Sequence, residues 1–166
     1  MRAPSGARFV SAVTSGSISQ LPGDLRAELE GRDLIVFDGE CVLCSGFFRF
    51  MLRHDRAGRF SFAVAQSPLG TRLYRALGLP TEDFETNLVI VDGTIYRELD
   101  AFAAAMRVLP FPWPVLAVSA WLPGPVKRFA YHRIARNRYR LFGRYDTCMM
   151  PTPEVRARFM DGGFGG

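Results

Sequence analysis

The chain has 166 residues, 48% of them apolar, with three cysteines, a formal net charge of +5 and a sequence pI near 9.6. That supplies one good core and is short for two domains. Three cysteines exclude the dense, even-numbered disulfide framework of a small secreted protein and point to a reducing, cytoplasmic setting.

Residues 1–22 are rich in Ser, Gly, Pro and Ala without sustained periodicity, so a flexible lead is expected over residues 1–32, with a short helix around Asp24 to Glu30. Phe9 to Val13 is too short and too diluted for the apolar centre of a secretory signal. Leu34 to Phe37 is an apolar run of strand length, stopped by the turn signal Asp38-Gly39. From Cys44 to about Arg56, Phe47, Phe50, Met51 and Leu52 recur at helical spacing, and Gly58 ends the helix. Phe60, Phe62 and Val64 then alternate with smaller residues, the period of a strand. The unit is β-α-β, whose strands pair in parallel, and Cys41 and Cys44 sit at its strand-to-helix junction.

A second helix is expected from Leu69 to Leu77, with Gly78 as its stop. Leu88 to Val91 and Thr94 to Tyr96 flank Asp92-Gly93, a two-residue hairpin signature, and a third helix follows at about Asp100 to Leu109. The order β-α-β-α-β-β-α is that of a thioredoxin-like α/β core, here residues 33–109, with residues 110–166 as a helical C-terminal extension packed on it. Within the extension, Val108 to Val126 is strongly apolar but broken by five prolines. Its uninterrupted part, Val115 to Leu122, would rise only about 12 Å as a helix against a hydrocarbon layer of about 30 Å, so it cannot span a membrane. Pro125 to Gly143 reads as a helix, and Thr152-Pro153 as the start of a last short one ending near Met160.

Two cysteines three apart at a helix start suit a reversible dithiol/disulfide couple. The first-turn amides and the helix dipole stabilise a thiolate, so Cys41 is expected to attack a substrate disulfide and Cys44 to resolve the mixed disulfide. Asp38 and Glu40 oppose that ionisation and no neighbour in sequence adds positive charge, so a moderately lowered pKa and a reducing poise are expected. Asp38 has two readings: a proton acceptor for Cys44, or a turn residue bonding nearby amides. The competing reading of the pair is zinc, which needs two more ligands from Cys148, His132 and His54; none of these forms a second close pair. No cofactor is expected.

The stretch from Asp38 to Arg158 resembles the DCC family of thiol-disulfide oxidoreductases, named for an Asp-x-x-Cys-x-x-Cys motif. Here the motif is Asp38, Cys41 and Cys44, and the resemblance continues through Gln66-Ser67, RIARNRYRLFGRYDTC (Arg133 to Cys148) and PTPEVRARF (Pro151 to Phe159). It implies a thioredoxin-like fold and a catalytic cysteine, with a disulfide-containing protein or small molecule as substrate and a separate reductant as partner. One departure is that Glu85-Thr86 falls where thioredoxins carry a cis-proline and threonine beside the active sulfurs. Counted back from Asp92-Gly93, this departure from thioredoxin makes Glu85 and Thr86 candidate substrate-binding residues, Glu85 repelling acidic substrates or accepting a proton, with an exposed loop residue as the alternative.

Lys127 to Arg144 holds seven Lys or Arg and no Asp or Glu. The expectation is a solvated helix face whose cations pair with Glu154, Asp55 or Asp146, with contact to an anionic membrane surface as the alternative and nucleic acid disfavoured. Cys148 is read as a small buried hydrophobe, His54 and His132 as surface residues, and Trp113 and Trp121 as core packing or the lining of a groove.

Overall fold

Every residue of Leu34–Phe37 is apolar because the strand is covered on both faces. In the computed structural model, which describes residues 15–82, 84, 86–143 and 152–164, strand β2 (Asp33–Phe37) is an inner strand of a five-stranded sheet. Its neighbours are β3 (Phe60–Val64), parallel, and β4 (Leu88–Val91), antiparallel. β5 (Thr94–Arg97) continues the sheet as the second arm of the Asp92-Gly93 hairpin, and β1 (Ser15–Ser17) pairs with it, giving the order β1-β5-β4-β2-β3. Leu34 and Val36 point to one face, under α1 (Gly23–Leu29) and α3 (Pro68–Ala76), with Leu25, Leu29, Leu69 and Leu73. Ile35 and Phe37 point to the other, under α2 (Val42–His54) and α4 (Glu98–Val108), with Phe48, Met51, Ala101 and Ala105. Phe48 stacks on Phe37 with ring centroids 4.6 Å apart and meets Phe62 edge-on at 4.8 Å. Such ring pairs add about 0.5–1.5 kcal/mol each beyond the area they bury.

The core order matches the expected β-α-β-α-β-β-α, and helix ends fall within two residues of the sequence reading. The flexible lead needs correction for residues 15–32, which supply β1, a 3-10 turn and α1. Ser15–Ser17 carries no apolar alternation, so its pairing with β5 left no mark in the sequence pattern. The expected final helix is also shorter, Pro153–Arg156, after which Phe159 bridges to Phe62. Arg158 O accepts from Phe62 N–H at 2.9 Å, Met160 N–H donates to Phe62 O at 3.0 Å, and Gly163 O accepts from Val64 N–H at 2.6 Å, so this C-terminal segment runs along the outer edge of β3. The buried Asp55 carboxylate anchors it further through Arg158 at 2.6 Å.

Between β3 and α3 the chain turns on Ser67, which caps α3 by accepting from Gly70 N–H at 3.1 Å and donates to Val64 O at 2.6 Å. The helix presses so close to the strand end that a Cβ on Gly70 would lie 2.3 Å from Val64 O and 2.6 Å from Ala65 O. Both are backbone atoms, so nothing flexible can give. Gly70→Ala is expected to cost at least the roughly 1–3 kcal/mol of an overpacked core, read as a lower urea midpoint with unchanged slope.

The extension consists of a 3-10 helix (Trp113–Trp121) and α5 (Gly124–Phe142), followed by the short α6 (Pro153–Arg156). α5 crosses α2 and α4. It is stapled to the core by Lys127 to Asp100 at 2.7 Å and by the Tyr131 hydroxyl, which donates to Asn87 Oδ1 at 2.8 Å.

Candidate active site at the start of the second helix

Cys41 is the N-cap of α2, with extended backbone, and its sulfur accepts from Cys44 N–H at 3.5 Å. The cap position follows from the turn before it: Glu40 N–H donates to Asp38 Oδ1 at 2.9 Å and Cys41 N–H to Asp38 O at 3.3 Å, which swings the chain off β2 into the helix. Both cysteines are free thiols.

Beneath the turn lies a polar cluster from three distant parts of the chain. Asp38, 2% exposed, receives Glu40 N–H and Gln66 Nε2 on one carboxylate oxygen, and Arg138 Nη2, at 3.0 Å, and the Tyr139 hydroxyl on the other. These four donors make Asp38 the anchor of the turn and of a buried ion pair. Gln66 also accepts from Gly39 N–H at 3.1 Å through its carbonyl oxygen. Gly39 must be small, because a Cβ there would stand 2.8 Å from Val64 Cγ1. Arg138, 4% exposed, gives its other terminal nitrogen to Phe84 O at 3.1 Å.

Two thiols in contact cannot both ionise, and the surroundings decide which does. The Cys44 thiol donates to the Cys41 sulfur, and this bond, with the Cys44 N–H and the positive charge of Arg138, holds Cys41 down at about 6 against burial and the charge of Asp38. The same bond and burial push Cys44 far up. The guanidinium opposing the acidic neighbours is supplied by a residue one hundred positions from Asp38, which the sequence around the cysteines does not disclose. Burial and its bond to Asp38 push Tyr139 up to about 12, so its hydroxyl stays a donor.

Accessibility runs the other way. Cys41 is 0% exposed, whereas Cys44 is half-buried and forms part of the wall of a cavity of about 240 Å³ between α2, α4 and α5. Leu43, Phe47, Phe102, Tyr131 and Arg138 are among its other walls, which are almost wholly apolar. Asn87 and Glu98 reach it from the sheet side, and Glu98 sits at φ 56, a left-handed conformation unusual for a non-glycine.

Of the residues placed at the site by sequence, Asp38, Cys41 and Cys44 come together. Thr86 lies outside the cavity wall, its carbonyl accepting from the Tyr74 hydroxyl, and its neighbour Asn87 lines the cavity instead. Glu85 and Cys148 lie outside the described residues. The described cis peptide is Phe111–Pro112, ahead of the 3-10 helix. Among the described residues no three of His, Cys, Asp and Glu converge as a metal would need; His54 packs on Phe50 and Trp113, and His132 faces Glu98 at 3.6 Å. Arg138, Tyr139 and Gln66 were missed as site residues, although all three lie in stretches that carry the DCC resemblance.

A family model described as DCC1-like thiol-disulfide oxidoreductase matches residues 35–144. The chain is 37% identical over 127 residues to the uncharacterized protein YuxK of Bacillus subtilis, covering 76% of this chain and 93% of that one. It is 33% identical over 122 residues to the chloroplastic DCC family protein At1g52590 of Arabidopsis thaliana, covering 73% and 71%. No solved structure matches it.

Proposed function

This chain belongs to the DCC1-like thiol-disulfide oxidoreductase family, and from that premise we propose that it reduces disulfides with Cys41 as nucleophile and Cys44 as resolving thiol. The observation that carries the assignment is the placement of the two free thiols at the N-terminus of α2, where Cys41 caps the helix and accepts from Cys44 N–H at 3.5 Å. This setting and the charge of Arg138 favour the Cys41 thiolate over that of Cys44. The Cys41 thiolate attacks one sulfur of a substrate R–S–S–R′, forming Cys41–S–S–R and expelling R′S⁻, which takes up the proton released by Cys44. The Cys44 sulfur then attacks Cys41, RS⁻ leaves, and the intramolecular disulfide carries away the two electrons' worth of oxidation. An external thiol reductant restores the dithiol. The apolar cavity beside Cys44 favours disulfides flanked by apolar groups, and about 150 Å³ suffices for a benzene-sized one. Because Cys41 is enclosed, attack requires its cover to part, and Cys44 is the rival first contact.

Mapping the trapped intermediate separates the two orders. Reduced Cys44→Ser treated with an apolar dialkyl disulfide should stop at a mixed disulfide on Cys41, and Cys41→Ser should reduce the same compound at least about 10²-fold more slowly than the intact pair. A mixed disulfide that forms on Cys44 in Cys41→Ser, with none on Cys41 in the reciprocal variant, would reverse the roles. Absence of both would end the redox reading.

A further inference from the structure

The 3-10 helix Trp113–Trp121 has the sequence WPVLAVSAW, without a charged residue, and none of its nine residues is buried. In a helix of three residues per turn, side chains three apart stand in one row. Val115, Val118 and Trp121 form such a row, 61%, 58% and 86% exposed. Phe111 precedes it and Leu122 follows it, both exposed. A continuous apolar ridge turned to water is costly and marks a contact surface.

The chain passes directly from this ridge into α5, where Val126, Phe129, Arg133, Arg136 and Arg140 recur at intervals of three and four and so share one face; all five are exposed. From Ala101 to Tyr145 the sequence has eight Lys or Arg and no Asp or Glu. Lys127 and Arg138 are turned inward to Asp100 and Asp38; Arg133, Arg136 and Arg140 make no ion pair with the described residues. An aromatic and aliphatic edge beside a cationic helix face is the layout of a segment lying in a lipid interface, side chains in the acyl boundary and guanidinium groups at the phosphates. A second copy of the chain would bring the same cations against these, and a nucleic acid would leave Val115, Val118 and Trp121 without a role. No described helix is long and apolar enough to cross a bilayer.

We propose that the ridge Val115–Val118–Trp121 and the Arg133–Arg136–Arg140 face of α5 together dock the protein on the surface of an anionic bilayer. The surface adjoins the redox site: an apolar groove whose walls include Leu116 and Trp113 of the ridge helix also takes in Val42 and Leu43 of the first turn of α2. The docking does not depend on which cysteine attacks.

Co-sedimentation with vesicles of equal phosphatidylglycerol and phosphatidylcholine, against pure phosphatidylcholine, tests it. Binding to the anionic vesicles should weaken steeply when salt is raised from about 0.1 M. Arg133→Glu/Arg136→Glu/Arg140→Glu should reduce it by about a hundredfold, since each cation near an anionic surface contributes roughly fivefold. Trp121→Glu/Val118→Glu should lose it as well, with urea midpoint and disulfide reduction in solution unchanged. Trp121 emission should shift to the blue on the vesicles and be quenched by brominated acyl chains. Equal affinity for both vesicle types, or for neither, overturns the proposal. So does RNA binding that survives Trp121→Glu, or a dimer in sedimentation equilibrium that buries Trp121.

Discussion

Replacing Arg138 by methionine is expected to cost about 3–5 kcal/mol of folding stability and to raise the pKa of Cys41 in the same variant. The stability loss follows from leaving the buried Asp38 carboxylate without its counter-ion in a site sealed by β2 and α5. The rise in pKa follows because Arg138 favours the thiolate while Asp38, left behind, opposes it. Asp38→Asn should differ in sign at the thiol: it removes the opposing charge, so Cys41 should ionise at lower pH although the protein is again weakened. The double variant should be less destabilised than the sum of the two, because no unpaired charge is left buried. Urea midpoints give the first quantity, and the pH dependence of iodoacetamide labelling at Cys41, under conditions where labelling reports opening and ionisation together, gives the second. Equal labelling curves in all three variants would show that the cluster is a scaffold without influence on the sulfur.

The reduced protein should be most stable near pH 8.5 as far as its two thiols decide. Unfolded thiols ionise at about 8.5. Between about pH 6 and 8.5 the folded chain holds Cys41 as thiolate while the unfolded chain keeps it protonated. The unfolded state therefore binds one more proton, and stability rises with pH by about 1.36 kcal/mol per unit, roughly 3 kcal/mol in all. This contribution is complete above the unfolded pKa and is lost as pH falls through the folded one. Above 8.5 the sign inverts: unfolded Cys44 ionises and folded Cys44 does not, so stability falls with a similar slope. Comparing the reduced wild type with Cys41→Ser and Cys44→Ser across pH 5.5 to 10 tells the limbs apart, because a serine does not ionise in that range but can still hydrogen-bond to the remaining sulfur. Cys41→Ser should lose the rising limb and Cys44→Ser the falling one. A flat difference profile would remove the basis for the opposed thiols.

The core was legible because its signals are periodic and local: the all-apolar β2, the alternating Phe60, Phe62 and Val64, and the Asp92-Gly93 hairpin each announce one conformation. Asp38, Cys41 and Cys44 were legible because their spacing is that of the Asp-x-x-Cys-x-x-Cys motif. What completes the site was not. Arg138 looked like one more cation on a basic helix, and only the fold turns it inward at Asp38, while its neighbours Arg136 and Arg140 stay in water. The expected acids were also wrong in part: Asp55 is taken by Arg158, and Lys127 finds Asp100. Ion pairs made across the fold leave no periodic trace, so charge counts over Lys127 to Arg144 describe the helix without saying which cation is structural. The ridge helix misled for a related reason. Prolines among apolar residues read equally as core packing or as a groove, and only exposure separates Trp113, packed on Phe50, from Trp121.

The C-terminal run past α6 also governs how the molecule behaves among copies of itself. β3 is the last strand on its side of the sheet, and Arg158, Met160 and Gly163 occupy the donors and acceptors of Phe62 and Val64 that would otherwise recruit a stranger's strand. At the opposite margin β1 is three residues long, a poor template for elongation. A protein cut after residue 152 would present the apolar β3 as a bare hydrogen-bonding edge, a seed for sheet-to-sheet growth.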